Sequence, residues 1–227
     1  MARPLEDIRI LDLTWVLAGP YASMVLADLG AEVVKVERPP NGDIARTTGP
    51  YQNGWSGYFF SINRGKKSVA INLRDPEGKD LFLRLVEKAD VVLENFTPGT
   101  MAKLGLGYDV LSARNPRLIM ASVSGFGQTG PYRDRPALDV VVQAMGGIMS
   151  ITGEPGGGPV RPGASIGDIT AGMFAAIGIL SALHERDRSG LGQAIDLSML
   201  DCQVAVLENA YMRYSVTGKA PEKFVDR

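Results

Sequence analysis

From residue 8 onward, short aliphatic runs alternate with helix-like patterns, and this alternation constrains the fold more than any other feature. Residues 8–13, Ile-Arg-Ile-Leu-Asp-Leu, read as a strand, 20–29 as a helix, and 32–37, Glu-Val-Val-Lys-Val-Glu, as a second strand. Gly30 stands just past the helix, where a C′ glycine ends it without steric cost. A βαβ unit of this kind argues for parallel pairing, so the expected class is α/β: a Rossmann-like parallel sheet flanked by helices. Further strands are expected at 68–72, 90–94, 118–123 and 193–197. Helices are expected at 76–88, with Pro76 in the first turn, at 138–149, along an apolar segment beginning near Asp168, and at 199–214. A short helix follows the turn at 95–99. Residues 38–66, rich in Gly, Pro, Asn and aromatics, read as a long functional loop. Residues 152–159 read as a flexible one. No internal repeat is present.

The bulk numbers narrow the chemistry. A chain of 227 residues can build one substantial core. Its net charge of −1, with both signs interspersed, gives no electrostatic case for nucleic acid or an anionic membrane as partner. The first residues lack an apolar leader core, and the longest apolar run is too rich in Gly and Ala for a convincing membrane span, so a cytoplasmic protein is expected. The single cysteine, Cys202, rules out an internal disulfide and a CxxC metal site. Its place in an apolar helix pattern suggests a buried, inert thiol. The single histidine, His184, falls near the end of the long helix, where a cation suits the dipole. With no G-x-S-x-G elbow either, carboxylate chemistry is the best remaining option for an enzyme.

The carboxylate that stands out is Asp168, directly after Gly167 at the mouth of a helix whose residues 169–183 carry no charge. That run should be buried and closely packed. Two readings of Asp168 follow. It is an N-cap, worth roughly 1 kcal/mol, or it is a nucleophile kept ionised by the positive end of the helix. Four turns at strand carboxyl ends, 14–19, 38–42, 94–99 and 124–130, are expected to converge on one ligand cleft. The first of them carries Trp15-Val-Leu-Ala-Gly-Pro20 in place of G-x-G-x-x-G, which disfavours a standard dinucleotide site.

Several of these segments match a known family. Asp12-Leu-Thr-Trp-Val-Leu-Ala-Gly-Pro20, Asp28-Leu-Gly-Ala-Glu-Val-Val-Lys-Val-Glu-Arg38 and Glu94-Asn-Phe-Thr-Pro-Gly99 resemble the class III CoA-transferases, the group of formyl-CoA transferase, carnitine CoA-transferase and α-methylacyl-CoA racemase. Ser124-Gly-Phe-Gly-Gln-Thr-Gly-Pro131, Gly167-Asp168 and Gly190-Leu-Gly-Gln193 continue the match in order. The resemblance implies that residues 1–216 form the CoA-binding large domain and that 217–227 begin a linker toward a small domain this chain does not reach. Family members run to roughly twice this length and form interlocked homodimers.

The resemblance also implies an acyl-CoA:carboxylate CoA-transferase with Asp168 as nucleophile, passing through an aspartyl-CoA thioester. Its substrates would be CoA, as acyl-CoA, and a small carboxylic acid, with no permanently bound cofactor and no metal. CoA contacts carry over onto Val16, Leu17, Arg38, Asn72, Leu73, Arg74, Asn95, Phe96, Lys103, Ala137 and Asp139. Plain readings stand beside some of these: a solvated charge for Arg38, core packing for the Phe96 ring, a helix-start cap for Asp139. Leu138 stands where the racemases carry a histidine, which argues against two-base racemisation. Leu17 stands where formyl-CoA transferase carries a glutamine. The stretch 153–163 with Arg161 looks like the succinate-using branch. Two other readings are a chain that binds CoA or pairs with another subunit without turnover, and a nucleotide-dependent oxidoreductase on the same fold.

Overall fold

A computed structural model describes residues 2–223, so the end of the expected linker, 224–227, lies outside the described residues. Six parallel strands form the main sheet: β1 (Arg9–Asp12), β2 (Glu32–Glu37), β5 (Lys67–Ala70), β6 (Val91–Glu94), β7 (Ile119–Ser124) and β8 (Ala194–Ser198). Their spatial order is β5-β2-β1-β6-β7-β8. Among the six, this is the doubly wound order that reverses beside the first strand, where α/β sheets open a crevice at their carboxyl edge. Both sheet faces are covered. Alternation along each strand sends Ile10, Val91, Leu93, Ile119 and Ala121 into one core and Leu11, Val92 and Met120 into the other.

The first core is closed by α1 (Ala18–Asp28), α7 (Ile166–Ser189) and α8 (Met199–Val206). The second is closed by α3 (Pro76–Val86), α4 (Thr100–Lys103) and α5 (Tyr108–Arg114), through Phe82, Val86, Met101 and Leu111. Helix α1 lies tightly on α7. A Cβ on Gly172 would stand 2.7 Å from the Ala18 carbonyl oxygen, so only glycine permits this approach. By length and composition α7 could cross a bilayer, and here its Ala-rich face packs on α1 and the sheet. Its burial is one-sided: Ala171, Ala175, Ile179 and Ala182 are buried, whereas Met173, Phe174 and Ile177 are exposed. The expectation of a wholly buried run at 169–183 is corrected accordingly.

Other expectations are corrected in detail. The stretch 38–66 is not a plain loop. It holds a 3-10 turn (Ile44–Thr47), a hairpin of β3 (Tyr51–Gln52) and β4 (Trp55–Ser56), and α2 (Gly57–Asn63). Asn53 and Gly54 both have positive φ, as a two-residue hairpin turn requires. Ser56 caps α2 by accepting the Phe59 N–H at 3.0 Å. The helix expected at 138–149 is α6 (Asp139–Gly146), ended by Gly147 at φ 95°. The helix expected at 199–214 breaks at Leu207 into α8 and α9 (Glu208–Thr217). Helix α5 had no counterpart in the sequence reading.

Candidate active site

The turns after β1, β2, β5 and β6 surround a cavity of about 900 Å³ at the carboxyl edge of the sheet. Its walls include Trp15, Arg38, Asn72, Leu73, Arg74, Phe96 and Thr97. Arg38 and Arg74 are exposed, and neither guanidinium has a protein partner among the described residues. Asn72 accepts the Arg74 N–H at 3.2 Å, which shapes that turn. Asn95 reaches back across the cleft, accepting the Trp15 N–H at 3.0 Å and donating to the Trp15 carbonyl at 2.9 Å. Glu94, pushed up to about 7 by burial despite a hydrogen bond from Ser122, accepts the Phe96 N–H at 2.6 Å. Three of the four expected turns thus converge. The fourth, at 124–130, is tied to β8 instead, with the Gln128 N–H donating to both Asp196 oxygens at 2.9 Å.

Buried charges brace the first turn. Lys35, inside β2, donates to the Thr14 carbonyl at 2.7 Å and pairs with Asp43 at 3.0 Å. Asp43 in turn accepts the Val16 N–H at 3.1 Å, holding Val16 at φ 65°. Lys66 pairs with Asp12 at 3.0 Å and also donates to Asn63 and the Pro20 carbonyl. Burial works to raise Asp12, but Lys66, Lys35, Ser23 and Thr14 outweigh it and hold the carboxyl at about 2. Leaving either aspartate without its lysine would strand a buried charge, so the four charges act as one brace. Lys35 was visible in sequence as the one charge flanked by valines in 33–36, and Lys66 was not.

Asp168 sits beyond this turn, at the third position of α7. It is not the cap. Ser165 occupies the cap position without a side-chain hydrogen bond, and the free helical N–H groups go to Asp139. Asp139, buried at the start of α6, accepts Gly167 N–H at 2.9 Å and Asp168 N–H at 3.4 Å on one oxygen. Its other oxygen accepts Gln143 at 2.7 Å and Arg161 at 2.9 Å. Asp139 therefore caps α7 rather than its own helix. The Asp168 carboxyl accepts no protein hydrogen bond among the described residues. Burial and the Asp139 charge push it up to about 7, and Arg161 opposes them. At about 7 the carboxyl is only partly ionised at neutral pH, and the helix end does not hold it fully charged because Asp139 already answers the positive end of the dipole. Tyr58 on α2, absent from the sequence reading, is pushed up to about 12 by burial and by the charges of Asp168 and Asp43. Its hydroxyl thus stays a neutral donor at neutral pH.

The remaining sequence candidates are dispersed. Leu17 is buried with Ala45 and Ile62, and Val16 is exposed on the strained turn. Lys103 is exposed at the end of α4, outside the cavity wall. Ala137 fills the space beside Gly125, where a Cβ would come within 2.2 Å of it. Cys202 is buried, its thiol pushed up to about 11 by burial. Among the described residues no cluster of three His, Cys, Asp or Glu side chains offers a metal site.

Comparison with known proteins is consistent along the chain. The model of CoA-transferase family III matches residues 5–226. The chain is 50% identical to an acetyl-CoA:oxalate CoA-transferase of Acetobacter aceti, over 99% of this chain and 58% of that protein. It is 48% identical to a succinate–glutarate CoA-transferase of Agrobacterium fabrum, over 96% of this chain and 56% of the relative. A crystal structure of a CAIB/BAIF family protein from Brucella suis superposes with a TM-score of 0.93 at 46% identity, covering 97% of this chain and 60% of the other. The chain thus spans between half and three-fifths of the length of these relatives.

Proposed function

The chain belongs to CoA-transferase family III, and from that premise we propose that it serves to move CoA between carboxylic acids with Asp168 as nucleophile. The observation that carries this reading is the Asp168 carboxyl itself, which is half-buried in the first turn of α7 and spent on no protein hydrogen bond among the described residues. The cap of α7 is supplied by Asp139, which leaves the Asp168 carboxyl free of that structural task.

In the proposed reaction an Asp168 oxygen attacks the thioester carbonyl of a donor acyl-CoA. The carbon–sulfur bond breaks, leaving a mixed anhydride and CoA thiolate. The thiolate then attacks the aspartyl carbonyl, forming an aspartyl-CoA thioester and releasing the donor acid as a carboxylate. An acceptor carboxylate attacks that thioester, and the displaced thiolate takes the acceptor acyl group, which restores Asp168. Each step exchanges one nucleophile for another, so one difficult exchange becomes a series of easier ones. Arg38 and Arg74 would hold CoA phosphates by charge-assisted hydrogen bonds. Tyr58 would offer a neutral O–H to the oxyanion of the tetrahedral intermediates. Relatives are named for oxalate, mesaconate, D-citramalate and glutarate, which supports short dicarboxylic acids as substrates. Pairing into a homodimer is supported by the exposed apolar side chains Met173, Phe174 and Ile177 on α7 and Met212 on α9.

The test is incubation with succinyl-CoA, quenching with hydroxylamine and mass spectrometry of the peptide bearing Asp168. A hydroxamate on Asp168 that disappears in Asp168→Asn is expected. CoA binding without any adduct would instead favour a chain that binds CoA without turnover.

A further inference from the structure

We propose that Arg161 selects dicarboxylic over monocarboxylic acids, its open guanidinium edge taking the carboxylate that does not react at Asp168. The inference rests on the CoA-transfer reading above and names the residue that sets its acid specificity. Arg161 uses one terminal nitrogen on Asp139, at 2.9 Å, and its Nε and second terminal nitrogen have no hydrogen-bond partner among the described residues. Its side chain is 49% exposed while that of Asp139 is only 7% exposed. The guanidinium is therefore tethered at one corner by a buried carboxylate and open along an edge.

The tether is itself well held. Asp139 is fixed by Gln143 and by the first N–H groups of α7, so it aims Arg161 at the helix end that carries Asp168. Arg161 is also the one cation whose charge acts appreciably on Asp168 among the described residues. Other cations are committed elsewhere: Lys35 and Lys66 are buried on Asp43 and Asp12, and Arg46 is spent on Glu37. An acid whose reacting carboxylate lies at Asp168 adds a negative charge beside Asp168 and Asp139. A second carboxylate reaching Arg161 gains charge-assisted hydrogen bonds in return, whereas the methyl end of a monoacid gains none and leaves the open edge to water. The planar fork suits a carboxylate better than an ammonium point charge does.

The experiment is an NMR titration of the 227-residue chain with succinate and, separately, butyrate, following the Arg161 Nε–H and the Asp168 amide. Succinate is expected to shift both signals with at least tenfold tighter apparent binding than butyrate. Arg161→Gln should reduce that preference below threefold while Gly167 N–H keeps its hydrogen-bonded shift, and Arg161→Lys should fall between. CoA added to wild-type protein, read by calorimetry, reports on the underlying reading separately: CoA binding without succinate binding overturns the Arg161 assignment alone, and absence of CoA binding overturns the CoA-transfer reading. Equal affinity for the two acids, or a succinate preference that survives in Arg161→Gln, also overturns the assignment.

Discussion

Replacing Asp168 should make this protein more stable, and by an amount that depends on pH. Asp168 has an ordinary value of 3.8 and stands at about 7 in the folded chain, because burial and Asp139 penalise its charge. The folded state therefore binds this proton more tightly than the unfolded state. Between about pH 4 and 7 the native protein holds more protons than the unfolded chain, so stability falls as pH rises; above about 7 the cost is complete. A shift of that size corresponds to about 4 kcal/mol as an upper bound, and partial solvent screening reduces it to about 2–3 kcal/mol. Asp168→Asn keeps the shape and removes the charge. Urea unfolding of both proteins from pH 5 to 8.5 should show the variant gaining on the wild type by about 2 kcal/mol between pH 5 and 8, then running parallel. Glu94 titrates in the same window, but it is common to both proteins and cancels in the difference. A stability difference that does not change with pH, or an Asp168→Ala variant losing about 1 kcal/mol at every pH as a missing cap would, refutes the reasoning.

Three further outcomes follow from the same geometry. In the proposed reaction attack needs the ionised carboxylate, so the rate of Asp168 acylation by succinyl-CoA should rise about tenfold per pH unit below about 7 and level off above it; stopped-quench mass spectrometry across pH 5–9 measures this, and a flat profile contradicts the proposed role of Asp168. Arg38→Ala and Arg74→Ala should each weaken CoA binding about tenfold by calorimetry, with effects that shrink at high salt. Lys35→Met leaves Asp43 charged, buried and unpaired, so it should lower stability by about 3–5 kcal/mol, and the double variant Lys35→Met with Asp43→Asn should recover part of that loss in thermal unfolding.

Much of the fold was legible because its signals are local. The βαβ rhythm from Ile8 to Glu37 is carried by side-chain alternation, and Gly30, at φ 112°, ends α1 where a C′ glycine should stand. The segments that escaped were those whose elements are too short to show a period: the two-residue strands β3 and β4 and the seven-residue α5. The break at Leu207 escaped because both halves of 199–214 read equally well as helix.

At the site, the sequence by itself singled out Asp168, the strand-end turns and the arginines at positions 38 and 74, since motif order and residue type are properties of the chain. What the carboxyl of Asp168 is, chemically, was decided only by the fold. Its environment is assembled from Asp139, which lies 29 positions away and takes the helical N–H groups, from Arg161 across a glycine-rich segment, and from Tyr58 on a helix that read as loop. Electrostatic effects depend on distance in space and on exclusion of water. Neither quantity is written along a chain until its elements have packed.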